Sequence, residues 1–194
     1  MSKLLKEVNE KRLTQNVFTD DDMNLPIGEF LMKSYSVCTP NKYGDLFPKK
    51  IILDSKGKLK ELPSSLDRGD CHINFKKYFE GKISFRNKSG KYSITNIRDW
   101  QDFDYFVLCF VDTHDDFKPY FYCVPKKTIT DNPRISLNGM NNTNKINRSN
   151  TYVATRTNIN EIDLSWLFKK DSVLKGTSYK HLQDFIKLTY NNLK

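Results

Sequence analysis

Cysteine and histidine are both scarce in this chain, at four and three residues out of 194. Cys38, Cys71, Cys109 and Cys123 leave no pair at a C-x-x-C spacing, and His72, His114 and His181 complete no zinc pattern. So thin a set excludes a disulfide scaffold and predicts free, buried thiols in a reducing cytoplasm. Long hydrophobic runs are missing as well. The longest strongly apolar one covers residues 105–111 (Tyr-Phe-Val-Leu-Cys-Phe-Val), far too short to cross a bilayer. The opening residues, Met1-Ser-Lys-Leu-Leu-Lys-Glu, interrupt their apolar stretch with charge at once, so no secretory signal and no membrane partner are expected. There is no Gly-rich phosphate loop, no ATP-binding motif and no Gly-x-Ser-x-Gly elbow, which disfavours nucleotide-driven and Ser-His-Asp chemistry.

What is present is positive charge and aromatic surface. The formal net charge is +9, and aromatic residues make up 13% of the chain, too many for a disordered segment. The charge is uneven. Residues 1–116 carry 19 basic and 18 acidic groups, whereas residues 117–194 carry 13 basic and 5 acidic ones. A basic C-terminal portion suits a polyanion, because Lys and Arg near phosphates release condensed counterions. A Lys- and Asn-rich composition from an AT-rich genome accounts for the same numbers, so charge alone leaves nucleic acid open.

Periodicity predicts one domain of mixed α and β structure over residues 1–194. Helices are expected over 3–13, from about Leu25 to Tyr35, and from Ser178 to Leu193 after a Thr177/Ser178 cap. Thr39 to Gly44 reads as a loop, and Ile51 to Leu53 as a short strand followed by a turn. Asp70 to Phe75 and Tyr78 to Phe85 read as a hairpin turning at Lys76-Lys77. A short helix from about Asn96 to Asp104 and strands at Tyr105 to Asp112 and Tyr120 to Val124 follow. The Asn-rich stretch at about 130–150 predicts a long polar loop or arm.

The residues that carry chemistry lie in this hairpin: Asp70, Glu80 and Lys82. An acid two residues before a lysine occurs three times, at Asp54/Lys56, Glu80/Lys82 and Asp116/Lys118, so the bare spacing decides nothing. Only Glu80-Gly81-Lys82 sits inside a strand, between Phe79 and Ile83, where period-2 geometry puts the acid and the lysine on one face. With the turn at Lys76-Lys77, Asp70 falls about three residues along from the cross-strand neighbour of Glu80. Two carboxylates are hard oxygen ligands for Mg²⁺, and a lysine beside them can orient a water and neutralise developing charge. Paired surface charges on an exposed strand are the other reading of the same residues.

An acid at the start of one strand and an acid-x-Lys on the next resembles the signature of the PD-(D/E)XK nuclease superfamily, particularly type II restriction endonucleases. The resemblance covers roughly residues 66–112 and departs at Gly69, where many members have proline. It implies a restriction-endonuclease-like mixed central sheet flanked by helices. It also implies that Asp70, Glu80 and the Gly81 carbonyl hold Mg²⁺ (Mn²⁺ substituting), with Lys82 at the attacking water. Many members add a glutamate from an N-terminal helix, for which Glu29 is the match; taken alone, Glu29 reads as an exposed helix charge. Arg68, Arg98 and Gln101 are expected at the DNA, the last two on one helical face. Asn138, Asn141, Asn142, Lys145 and Arg148 would form a base-reading loop, since Asn pairs bidentately with adenine and Arg or Lys with guanine.

The expected function is therefore a Mg²⁺-dependent, sequence-specific endodeoxyribonuclease acting on double-stranded DNA. It would be a homodimer if it cuts both strands of a palindrome, and cytoplasmic in a prokaryote or phage. A structure-selective nuclease and a non-catalytic basic DNA-binding protein stand as the alternatives.

Overall fold

The computed structural model of the chain describes residues 17–63, 66–88, 90, 92, 94–95, 97, 101–131, 156–157 and 171–194. The helix expected over 3–13 and the Asn-rich stretch beyond residue 131 lie outside them.

Thr19 opens the described chain by capping a 3₁₀ turn at Asp20–Asn24, its backbone N–H and hydroxyl both donating to Asp22 Oδ2 at 2.7 and 3.0 Å. Helix α1 (Ile27–Val37) starts behind Pro26 and buries Phe30, Leu31, Lys33 and Ser34. Its place agrees with the apolar spacing in the sequence.

Helix α2 (Pro40–Asp54) overturns the loop expected at Thr39–Gly44 and the strand expected at Ile51–Leu53. The Thr39 hydroxyl accepts the Lys42 N–H at 3.4 Å, and Pro40 occupies the first turn, where a missing N–H costs nothing. Phe47 and Ile51, one turn apart, then bury together with Leu46. Helical burial wins over the strand propensity of Ile51 and Ile52.

The sheet has the order β1-β2-β3-β5-β6. Strands β1 (Lys60–Glu61), β2 (Cys71–Ile73) and β3 (Lys77–Phe85) form an antiparallel run. From β3 the chain crosses over to β5 (Tyr105–Asp112), which pairs parallel to it, and β6 (Lys118–Pro125) returns antiparallel. Within the crossover, β4 (Ile94–Thr95) makes a small separate ladder with β7 (Arg156–Thr157). The protein is thus an α+β structure with a five-stranded mixed sheet flanked by helices.

Alternation along β5 divides the core. Val107, Cys109 and Val111 join Phe30, Phe47, Ile51 and Leu182 on one face, while Phe106, Leu108 and Phe110 join Ile94, Ile97 and Phe103 on the other. A short helix, α3 (Lys126–Thr130), buries Ile129 on the second face. Helix α4 (Tyr179–Asn192), capped by the Ser178 hydroxyl, packs Leu182 and Ile186 on the first. All four cysteines are free thiols.

The helix expected from Asn96 to Asp104 does not extend over its described end. Residues 101–104 are irregular because their backbone groups bond outside the segment. The Asp102 N–H donates to Asp67, the Asp104 N–H to Tyr78, and the Asp104 carbonyl accepts from Lys126. Among the described residues no helix is long and apolar enough to cross a membrane.

Candidate active site

The hairpin register sets the site, and it differs from the one expected. The turn is Asn74-Phe75-Lys76, with Ile73 opposite Lys77 and Cys71 opposite Phe79. Asn74 and Phe75 adopt left-handed backbone, at φ 50° and 55°. The turn is held in place by the Phe75 N–H donating to His72 Nδ1 at 3.0 Å and the Tyr78 hydroxyl donating to the Phe75 carbonyl at 2.9 Å. Ile73 therefore does not face Glu80, and Asp70, just outside β2, sits beside the Phe79–Gly81 stretch of β3.

A backbone N–H holds the Asp70 carboxylate, and a lysine side chain holds that of Glu80. The Asp70 N–H donates to the Phe79 carbonyl at 2.8 Å, and Asp70 Oδ2 accepts the Gly81 N–H at 2.8 Å. Lys82 Nζ donates to Glu80 Oε1 at 2.5 Å. Glycine is required on both sides. A Cβ on Gly69 would lie 2.6 Å from the Phe79 carbonyl oxygen, and its φ of +86° is a value proline cannot reach. The absence of proline before Asp70 therefore has a local cause. A Cβ on Gly81 would sit 2.9 Å from Pro48 Cγ and 3.5 Å from Asp70 Oδ2. Gly81 thus lets helix α2 close over the hairpin.

Asp70 and Glu80 open into a cleft of about 530 Å³. Helix α2 supplies one wall through Asp45, Pro48, Lys49 and Ile52, a stripe at helical spacing. Glu61 and Leu62 come from the end of β1, and Gln101 from the crossover. Among the sequence-expected residues, Asp70, Glu80 and Gln101 share this cleft, and Lys82 reaches it through Glu80. Glu29 does not line it; it lies half-buried in the first turn of α1. The helical acid at the cleft is Asp45, which a reading of 39–44 as loop and 51–53 as strand could not find. Arg68 is exposed, donating to the Tyr78 hydroxyl at 2.8 Å and approaching Asp102 at 3.5 Å. Arg98, Asn138, Asn141, Asn142, Lys145 and Arg148 lie outside the described residues.

The site is electronegative. Burial pushes the Cys71 thiol well above its ordinary pKa, and the Asp70 and Glu80 charges push it further. His72 is held below its usual value by burial and by Lys60, so it stays neutral at pH 7, as its accepting Nδ1 requires.

Among the described residues no three His, Cys, Asp or Glu side chains are grouped to hold a metal ion. Asp70 and Glu80, which both line the cleft, carry hard oxygens, the type that suits Mg²⁺. In comparisons with known protein families, curated proteins and solved structures, the chain matches none.

Proposed function

We propose that this protein is a Mg²⁺-dependent endodeoxyribonuclease of the PD-(D/E)XK type, cutting double-stranded DNA at a specific sequence as type II restriction enzymes do. The observation that carries the reading is that Asp70 and Glu80 line one open cleft, with Asp70 bound to the Gly81 N–H and Lys82 bound to Glu80. The antiparallel hairpin, the crossover and the parallel apolar strand β5 support a restriction-endonuclease-like core, and α2 serves as the N-terminal helix that brings Asp45 to the site.

Asp70 and Glu80, with the Gly81 carbonyl, would hold the cation. Bound there, Mg²⁺ supplies water activation and charge neutralisation at phosphorus. The chain's own residues do the rest. The Gly81 N–H fixes one oxygen of Asp70, so that the carboxylate is oriented before substrate arrives. Lys82, steered by Glu80, orients the attacking water and offsets negative charge in the transition state. The basic C-terminal portion draws in the phosphate backbone. A palindromic site calls for a homodimer, since two-fold DNA symmetry is met by two-fold protein symmetry.

The test is incubation of the purified protein with a long duplex of known sequence, in Mg²⁺ or in EDTA. Discrete fragments that need Mg²⁺ are expected, and their ends would give the recognition sequence. A Mg²⁺-dependent smear would keep the chemistry and remove the sequence specificity. Salt-sensitive DNA retention without cleavage would overturn the catalytic reading.

A further inference from the structure

Gln101 differs from the other residues that line the cleft. It is 4% exposed, and its Oε1 accepts no hydrogen bond, which makes it the buried side-chain polar atom without a partner among the described residues. Such an atom carries a desolvation penalty that nothing in the fold offsets. The chain around it is firmly tied. The Gln101 carbonyl accepts from Lys126 Nζ at 2.7 Å, and the Asp102 N–H donates to the Asp67 carbonyl at 2.8 Å. The Lys126 ammonium in turn lies 5.3 Å from the Phe103 ring centroid. Gln101 therefore lines the cleft from a fixed stretch of backbone, with its oxygen buried and unpaired.

The polar residues of the cleft sort by depth. Asp45, Lys49 and Glu61 are exposed at its rim; Asp70 is half-buried, and Glu80 and Gln101 are buried. The inner groups are thus two carboxylates and a carboxamide oxygen. A phosphodiester presents acceptors only, so it can take a bond from the Gln101 amide N–H but cannot satisfy its oxygen. A hydrated divalent cation can, because it takes neutral hard oxygens beside carboxylates and its waters donate O–H groups.

We propose that Gln101 is a third oxygen donor of the inner cleft, acting with Asp70 and Glu80 to hold a divalent cation. This rests on the assignment of Asp70 and Glu80 made above. It gives Gln101 a place on the metal in place of the DNA-contacting one suggested by its sequence context.

The test titrates the full chain with Mn²⁺ in the absence of DNA, following free Mn²⁺ by electron paramagnetic resonance. Wild type, Asp70→Asn, Gln101→Leu and Gln101→Glu are compared, and metal-free melting temperatures are recorded alongside. Asp70→Asn should abolish binding. Gln101→Leu should weaken it roughly tenfold or more, as loss of a supporting ligand does, with a metal-free melting temperature equal to or above that of wild type. Gln101→Glu should bind Mn²⁺ more tightly, and it carries the test if Gln101→Leu does not fold. Wild-type affinity in Gln101→Leu, with binding lost in Asp70→Asn, would overturn the role of Gln101 and leave the metal site standing. Unchanged or weaker binding in Gln101→Glu would also overturn it. A wild type that binds no Mn²⁺ would overturn both assignments.

Discussion

The Asp22–Lys33 and Glu80–Lys82 pairs are the same two charges placed in two different settings, with N···O distances of 3.1 and 2.5 Å. Asp22 is enclosed. Its Oδ2 takes the Thr19 N–H and hydroxyl as well as Lys33, whose side chain has no exposed surface. Glu80 instead borders a cleft of about 530 Å³ that Asp70 also lines, and its partner Lys82 keeps 16% of its side-chain surface exposed. A closed pair of this kind adds little net stability but is costly to break, because the surviving charge is stranded. The Glu80 pair buries its carboxylate as well, at 6% exposed against 9% for Asp22, but it stands at a cleft and its lysine is available as chemistry. The comparison predicts that mutations at the first pair act on folding and mutations at the second on catalysis.

Glu80→Gln separates the two most widely. It keeps the shape and a hydrogen-bond acceptor for Lys82 but removes the charge. Cleavage of duplex DNA should fall by about 10³-fold, on the scale of losing an electrostatic or general acid–base group, far more than any loss of folded protein seen in the melting curve explains. Asp22→Ala should do the reverse. By removing the carboxylate from the buried Lys33 it should cost about 3–5 kcal/mol in urea unfolding, and any folded protein should cut at the wild-type rate. A cleavage defect in Asp22→Ala larger than its unfolded fraction explains would erase the distinction.

Gly81→Ala tests where the two roles meet. Its new Cβ would press on Pro48 and crowd the Asp70 carboxylate, so a stability loss of about 1–3 kcal/mol should come with slower cleavage. Loss of stability alone would mean that the fit of α2 over the hairpin does not tune the site.

The smallest effect is in pH. Burial raises the Asp22 carboxyl, but the Thr19 N–H, Lys33 and the Thr19 hydroxyl outweigh it and hold the pKa below the ordinary value. A lowered folded value means that the stabilisation is complete above the usual carboxylate pKa, near 4, and is lost as pH falls through the lowered one. The melting-temperature gap between wild type and Asp22→Asn should therefore narrow below about pH 4. A gap that stays constant to pH 2.5 would contradict the pairing.

Sequence periodicity was a reliable guide where one face alone decides the element. Phe30 and Leu31 mark α1, the unbroken apolar run marks β5, and Ser178 with Leu182 and Ile186 marks α4. It misled where tertiary contacts compete with local signals. Pro40, Gly44 and Pro48 look like breaks, yet Thr39 and Pro40 begin a helix, and with that helix went Asp45. The hairpin turn was misplaced because no local rule puts a phenylalanine in left-handed backbone. Phe75 is held there by the ring of His72, stacked at 3.9 Å between centroids, by its N–H donating to His72 and by its carbonyl accepting from Tyr78. Asp70, Glu80 and Lys82 are legible as residue types on one hairpin, but the bond from the Gly81 N–H to Asp70 and the cleft that Asp70 shares with Glu80 depend on a register that local signals do not set.

The most direct measurement of the central claim is cleavage by Lys82→Ala, assayed on duplex DNA in Mg²⁺ beside wild type, with circular dichroism of both proteins at the assay temperature. Wild type should give discrete fragments, and the variant should give none while keeping a native spectrum. A folded variant that cuts as well as wild type would contradict the assignment of Lys82 to the attacking water, and with it the account of the cleft as a nuclease site.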